Sequence, residues 1–279
     1  MPYKVGVDEA DVIRSRANSL VKRVGAVLAG KEPGTIVLEG ERLIDDALRA
    51  GHTLEFVLLS QARAALASSF QKRGCVVWIV ETALFERLGA LKTSPGILAL
   101  APAPRECALD KLELDTRTLL LVAAGIADPG NLGALARSAE AFGASALLVT
   151  RGSASPWSDK ALRGSMGSLL RLAVCSNLDS DDLARVLTER KVRSVCAATR
   201  GGVDPKSFDW RGPLALWIGA ETGAMPLATD TFEQITIPIA KGVESLNVTV
   251  AASLLLYASG RSAPSSPPNS KSSTGGARG

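Results

Sequence analysis

Residues 118–137 read Thr118-Leu-Leu-Leu-Val-Ala-Ala, then Gly125-Ile-Ala, then Asp128-Pro-Gly-Asn-Leu-Gly-Ala-Leu-Ala-Arg. The first seven residues form a near-continuous apolar run, the pattern of a strand buried on both faces of a parallel sheet. The segment from Asp128 turns off that strand into a helix, with Asn131 read as its N-cap and Gly143 as its C-terminal stop. A buried strand feeding a helix is the building unit of an α/β fold. The unit recurs downstream, where residues 146–150, 171–175, 193–198, 214–218 and 234–239 read as strands with helices between most of them. A last helix over 247–259 is apolar nearly all round and is expected to be buried.

The same alternation appears upstream. Strands are expected at 35–39, 54–59, 75–80 and 96–100, and helices at 40–50, 61–73 and 82–91. This is a small α/β domain over 33–104, closed by the Ala101-Pro-Ala-Pro-Arg break and a linker over 105–116. Residues 117–260 then form the second domain. Ahead of both, residues 1–32 place Arg14, Arg16, Lys22 and Arg23 among Leu20, Val21, Val24, Val27 and Leu28, an amphipathic helix with a basic face. The Ser-, Pro- and Gly-rich stretch 261–279 is expected to be disordered. No internal repeat is visible.

Composition narrows the chemistry. Hydrophobic residues at 46% and charged residues at 22% are the balance of a soluble globular protein. The net charge of +4 favours a polyanionic partner without establishing one. A single histidine, His52, sits in a Gly51-His52-Thr53 turn and reads as a surface residue, which disfavours imidazole bases and multi-histidine metal sites. The cysteines at 75, 107, 175 and 196 are far apart with no CxxC pair. No zinc site is expected, and the residues in apolar runs are read as small hydrophobes in a reducing cytoplasm. The first residues lack an apolar signal core, and the longest apolar stretch, 248–258, is too short to span a bilayer, so a cytoplasmic protein is expected.

Ligands of open parallel sheets bind at the carboxyl ends of the strands. Three strand-ending segments here have unusual composition. The first is the Asp128 loop with Arg137 in its helix; it lacks the first glycine of GxGxxG, which argues against a dinucleotide fold and a dehydrogenase. The second is Gly219-Ala-Glu-Thr-Gly-Ala-Met-Pro, where glycine after a buried strand lets a ligand approach the backbone. The third is Ile237-Pro-Ile-Ala-Lys-Gly-Val-Glu-Ser-Leu-Asn-Val-Thr-Val-Ala-Ala-Ser, a strand, a turn and a helix capped by Ser245 or Asn247.

In order and separation these segments resemble the three motifs of the SpoU/TrmH family of RNA 2′-O-ribose methyltransferases, in the SPOUT superfamily. Ser155-Pro-Trp-Ser-Asp-Lys-Ala-Leu-Arg-Gly-Ser-Met-Gly-Ser-Leu resembles the family's connecting segment. Val37-Leu-Glu-Gly-Glu-Arg-Leu-Ile resembles the start of its substrate-binding domain, and Arg14-Ser-Arg-Ala-Asn-Ser-Leu-Val-Lys its lead-in. The resemblance implies a C-terminal parallel-sheet domain with a trefoil knot, preceded by a small α/β RNA-binding domain. It implies S-adenosylmethionine as cofactor, RNA as partner and a homodimer; the separate domain before residue 105 suggests a large, structured target and favours ribosomal RNA over transfer RNA, and the histidine and cysteine pattern argues for no metal. Cofactor binding is assigned by it to Leu216, Gly219, Glu221, Ile237, Ile239, Ser245 and Leu246, and catalysis to Arg137 with Asn131, Glu221, Ser245 and Asn247. RNA contacts are expected at Arg14, Arg16, Lys22, Arg23, Glu39 and Arg42. The chain departs from the second motif, usually Gly-x-Glu-Gly-x-Gly, by having Thr222 and Ala224 at its last two glycines. That departure is the feature favouring the alternative, an RNA-binding or ribosome-assembly protein of the same fold without catalysis.

Overall fold

The structure is a computed structural model that describes residues 12–89, 94–219 and 231–261. A mixed sheet organises the first half, with β1 (Thr35–Glu39), β2 (Phe56–Ser60), β3 (Val77–Val80) and β4 (Ile97–Pro102) in the order β1-β4-β2-β3. Helices α1 (Ser19–Leu28), α2 (Glu41–Arg49), α3 (Ala67–Lys72) and the single turn α4 (Thr82–Phe85) accompany it. Asn18 starts α1 by accepting the N–H of Leu20, and Val21 and Val24 are the residues it buries. The residues before α1 are not helical: 15–18 make a turn, and the chain ahead of it is extended. Ile13 lies along the edge of β3, donating to the Ile79 carbonyl (2.9 Å) and accepting from the Glu81 N–H (3.0 Å). The helix read over 61–73 divides into a 3-10 turn at Gln61–Leu66 and α3. The end of the helix read over 82–91 lies partly outside the described residues.

The second half carries β5 (Leu119–Ala124), β6 (Ala146–Thr150), β7 (Ala173–Leu178), β8 (Arg193–Ala197), β9 (Leu214–Gly219) and β10 (Glu233–Ile235), in the order β10-β8-β9-β5-β6-β7. Every pairing in this sheet is parallel. The apolar run at 119–124 is buried throughout. Leu119, Leu121 and Ala123 enter one core cluster and Leu120, Val122 and Ala124 the other, as a strand covered on both faces requires. Helices α5 (Pro129–Ala141), α6 (Asp159–Ser165), α7 (Ser180–Glu189) and α8 (Val248–Ala258) complete it. The strand read over 234–239 stops at Ile235; Pro238 has no N–H to continue a ladder.

Several expectations are corrected. The N-cap of α5 is Asp128, not Asn131: the Asp128 carboxylate accepts the Asn131 N–H at 2.9 Å, and Pro129 fills the first helical position. Helix α8 is only partly buried, with Val250, Leu254 and Tyr257 exposed at 48%, 45% and 68%. Cys107 and Cys175 form a disulfide with Cα atoms 5.0 Å apart, which overturns the reading of Cys175 as a reduced packing residue. The linker itself brings the two together. Cys107 donates its N–H to the Val174 carbonyl (2.8 Å), and Glu106 accepts from Trp157 Nε1 and from the N–H and hydroxyl of Ser176. Cys75 and Cys196 are free and buried, and burial raises both thiol pKa values.

The two sheets share one hydrophobic cluster, which runs from Ile36 and Leu38 to Leu119 and Leu121. Polar contacts cross the same seam. His52 is half-buried, and its Nε2 donates to the Leu170 carbonyl at 2.7 Å, so it is a joint between the halves and not a free surface residue. Glu39, 5% exposed at the end of β1, lies 3.6 Å from Arg163 of α6, which also holds Asp159 at 2.6 Å.

Helix α6 packs tightly on α5 because glycines face the contact. A Cβ on Gly133 would lie 2.3 Å from the Ala161 carbonyl oxygen and 2.8 Å from the Ser165 nitrogen. The glycines of the Asp128 segment therefore serve a close helix crossing, a reason that the sequence alone does not display.

Candidate functional site

Because the second sheet is parallel, β5, β8, β9 and β10 all end on one side. A cavity of about 100 Å³ opens there, between the ends of β8, β9 and β10 and the first turns of α8. Its wall is mostly apolar, with Ile218, Ile235, Ile237, Val248 and Leu255, and its polar edge carries Thr199, Glu244 and Ser245. An apolar cleft with few polar groups is the ordinary form of a small-molecule site.

Five of the residues expected to hold a cofactor line this cavity: Gly219, Ile237, Ile239, Ser245 and Leu246. Leu216 does not. Its side chain is fully buried in the sheet, paired in register with Leu121 on one side and Val195 on the other. Glu221, like Thr222 and Ala224, lies outside the described residues. The sequence reading missed Ala197, Ala198 and Thr199, which end and follow β8 and form one flank of the cavity. Its signal was the following glycine pair: a Cβ on Gly202 would press on the Gln234 and Ile235 backbone at 2.7 Å, so this loop must lie against β10.

Asn247 is the N-cap of α8, accepting the N–H groups of Thr249 (2.9 Å) and Val250 (3.3 Å). Its carboxamide oxygen is thus committed, leaving the NH₂ to face a ligand. Ser245, two residues earlier, is exposed at the mouth.

The Asp128 segment stands beside this cavity and not in its wall; among the described residues, none of the lining comes from α5. Helix α5 begins at the end of β5, so Asn131 is near the site end, and Arg137 follows about 9 Å further along the axis. Arg137 is exposed and, among the described residues, has no ion pair. Next to it, Ser138 shares a 2.7 Å hydrogen bond with Ser253 of α8, and Phe142 meets Tyr257 edge to face. Helix α5 thus packs, just beyond Arg137, on α8, the helix that exposes Val250, Leu254 and Tyr257.

Asp128 is also held by Lys160 of α6 at 2.5 Å. That bond, followed by the Asn131 N–H, keeps the Asp128 carboxyl below the usual aspartate range.

The residues expected to contact RNA divide. Arg14, Arg16, Lys22 and Arg42 are exposed. Arg23 is instead engaged by Glu32 (2.6 Å) and Glu55, which raise its already high pKa, so it braces α1 against the sheet. Glu39 is buried beside Arg163 and cannot reach a polyanion, which it would also repel. Among the described residues no cluster could hold a metal ion, and no helix is long and apolar enough to cross a membrane.

Comparison with known proteins agrees with this geometry. Residues 118–257 match the model of the SpoU rRNA Methylase family. The chain is 29% identical to human mitochondrial rRNA methyltransferase 3, over 81% of this chain and 67% of that protein. It is also 29% identical to the 23S rRNA (guanosine(2553)-2′-O)-methyltransferase RlmP of Bacillus subtilis, over 88% of this chain and 97% of that one. Among solved structures it resembles the SpoU methyltransferase AviRb from Streptomyces viridochromogenes in complex with AdoMet. There the TM-score is 0.77 and the identity 26%, over 87% of this chain and 97% of that chain.

Proposed function

Because the chain belongs to the SpoU rRNA methylase family, we propose that it transfers the methyl group of S-adenosylmethionine to a ribose 2′-hydroxyl of RNA, with ribosomal RNA as substrate. The observation that carries this is the single cavity at the strand ends, in which Gly219, Ile237, Ile239, Ser245 and Leu246 meet from segments distant in sequence. Relatives named as rRNA 2′-O-methyltransferases and an AdoMet-bound structure of the same fold support it.

The wall suits such a cofactor. Apolar side chains can cover an adenosine, and strand-end backbone can hydrogen-bond its ring edges. When bound, S-adenosylmethionine supplies an electrophilic methyl group. The chain's part is to hold a ribose oxygen in line with that methyl and to ease removal of the hydroxyl proton. In this reading Ser245 and the Asn247 NH₂ orient the ribose at the mouth, with Asn131 contributing from α5, Glu221 shares in the catalysis, and the C-terminal end of the domain carries a trefoil knot that holds the cofactor. A guanidinium is a donor and not an acceptor, so Arg137 is given the role of a positioning cation and not of a base. It grips the adjacent phosphate in a two-pronged contact and offsets negative charge growing on the oxygen. The exposure of Arg137 away from the cavity wall, on a helix packed against the partly exposed apolar α8, supports a homodimer through α5 and α8, in which it serves the partner's cavity. The exposed Arg14, Arg16, Lys22 and Arg42 add phosphate contacts whose strength falls with salt.

The test is calorimetric titration with S-adenosylmethionine, followed by mapping of 2′-O-methyl sites on ribosomal and transfer RNA with and without the gene. Cofactor binding and one lost ribosomal site are expected; absence of cofactor binding refutes the enzyme reading.

A further inference from the structure

Among the described residues of the cavity wall, Glu244 alone has an ionisable side chain. It lies in the third strand-end segment ahead of α8, exposed at the mouth, with Ser245 and Leu246 beside it on the wall. No arginine or lysine among the described residues forms an ion pair with it. It is not needed to start α8 either, because Asn247 caps that helix. The remaining wall is largely aliphatic, and an apolar surface thins the water around a carboxylate and strengthens its pull on a nearby cation.

The two ligands that must exchange in this cavity differ by one charge. S-adenosylmethionine carries a sulfonium cation, and after methyl transfer S-adenosylhomocysteine carries a neutral thioether. On the reading of the cavity as the S-adenosylmethionine site, we infer that Glu244 selects ligand charge: its carboxylate favours the sulfonium form over the thioether product. Among the described residues, the other polar side chains of the wall, Thr199 and Ser245, are neutral hydroxyls and distinguish the two far less. Methyl transfer would thus remove one attraction from the bound ligand, which promotes exchange of product for cofactor.

The experiment is calorimetric titration of the full chain and of Glu244→Gln with three probes: S-adenosylmethionine, S-adenosylhomocysteine and sinefungin, whose ammonium replaces the methylated sulfonium. The substitution keeps size and removes charge at an exposed position, so the fold persists. The expected result is weakening of S-adenosylmethionine and sinefungin by about tenfold with S-adenosylhomocysteine changed by less than about twofold, the scale of one charge pair at intermediate dielectric. Equal weakening of all three probes, or none of any, overturns the inference while leaving the cofactor site standing. Wild-type protein that binds none of the three removes the cofactor site and the inference together.

Discussion

Replacing Gly133 by alanine tests whether the glycine of the Asp128 segment exists for the α5–α6 contact. The new Cβ would sit 2.3 Å from the Ala161 carbonyl oxygen, 2.8 Å from the Ser165 nitrogen and 3.0 Å from the Gly164 carbonyl carbon. All three are backbone atoms, so no side chain can swing aside. Reaching an ordinary contact of 3.4 Å requires the helices to part by about 1 Å. Overpacking of this kind costs about 3 kcal/mol when the neighbours cannot yield, and the better helix propensity of alanine returns about 1, leaving a net loss near 2 kcal/mol. For a chain of this length that lowers Tm by roughly 4–8 °C. Gly25→Ala is the control: it lies within α1 with nothing within 4 Å of its Cβ, so propensity alone acts. It should raise stability by up to about 1 kcal/mol. Thermal unfolding followed by circular dichroism compares the two variants. A Gly133→Ala protein as stable as the parent would refute the steric account. The same displacement moves Asn131 and Arg137, so methyl transfer should fall by up to about 100-fold with cofactor binding retained.

Other outcomes follow from individual contacts. Arg23→Gln should reduce stability by at most about 1 kcal/mol, the scale of partly exposed ion pairs, and leave RNA affinity unchanged; Arg16→Gln and Lys22→Gln should do the reverse, and filter binding across a salt series separates them. Reduction of the Cys107–Cys175 bond, which closes a separation of 68 residues, should cost up to about 4 kcal/mol, read as a Tm drop on adding dithiothreitol that Cys107→Ser does not show. The Asp128 carboxyl has a lowered pKa in the folded chain, chiefly through Lys160, so its contribution is present above the ordinary aspartate range and is lost as pH falls through the lowered value. Tm measured from pH 7 down to acid should therefore fall more steeply in the parent than in Asp128→Asn; equal slopes would remove Asp128 from the account.

How much of this could be read from the sequence depended on whether a residue's role is local. The 119–124 run announces double-sided burial because the pattern is continuous, and the apolar helix that follows announces a cap at Ser245 or Asn247, of which Asn247 is the one used. Asp128 was legible too, since a proline after it marks the first helical position, yet Asn131 is an equally good cap type and drew the assignment. Roles set by distant partners were not legible. Arg23 and Glu39 look alike as surface charges until Glu32, Glu55 and Arg163 are brought to them. The same holds for His52 against Leu170, for the cysteines brought together by the linker, and for Thr199, whose loop joins the cavity only because Gly202 lets it lie against β10.

The proposed homodimer gives Arg137 a testable place of action. Helix α5 contributes nothing to the cavity wall among the described residues, its arginine is exposed, and the helix packs on α8 through Ser138–Ser253 and Phe142–Tyr257. On the proposed reading, Arg137 acts on a second copy across that face. Two inactive variants should then complement each other. Arg137→Ala lacks the guanidinium but has an intact cavity, whereas Ser245→Trp has a blocked cavity and an intact guanidinium. In a mixed two-fold dimer one of the two sites combines both intact parts, so an equal mixture allowed to exchange subunits should recover about a quarter of parental activity. Action within one chain predicts no recovery, because every site would then lack one of its parts. A mixture that stays inactive, with mixed dimers verified by mass spectrometry, would sink the trans arrangement. Retained activity of Arg137→Ala by itself would remove the residue from the mechanism.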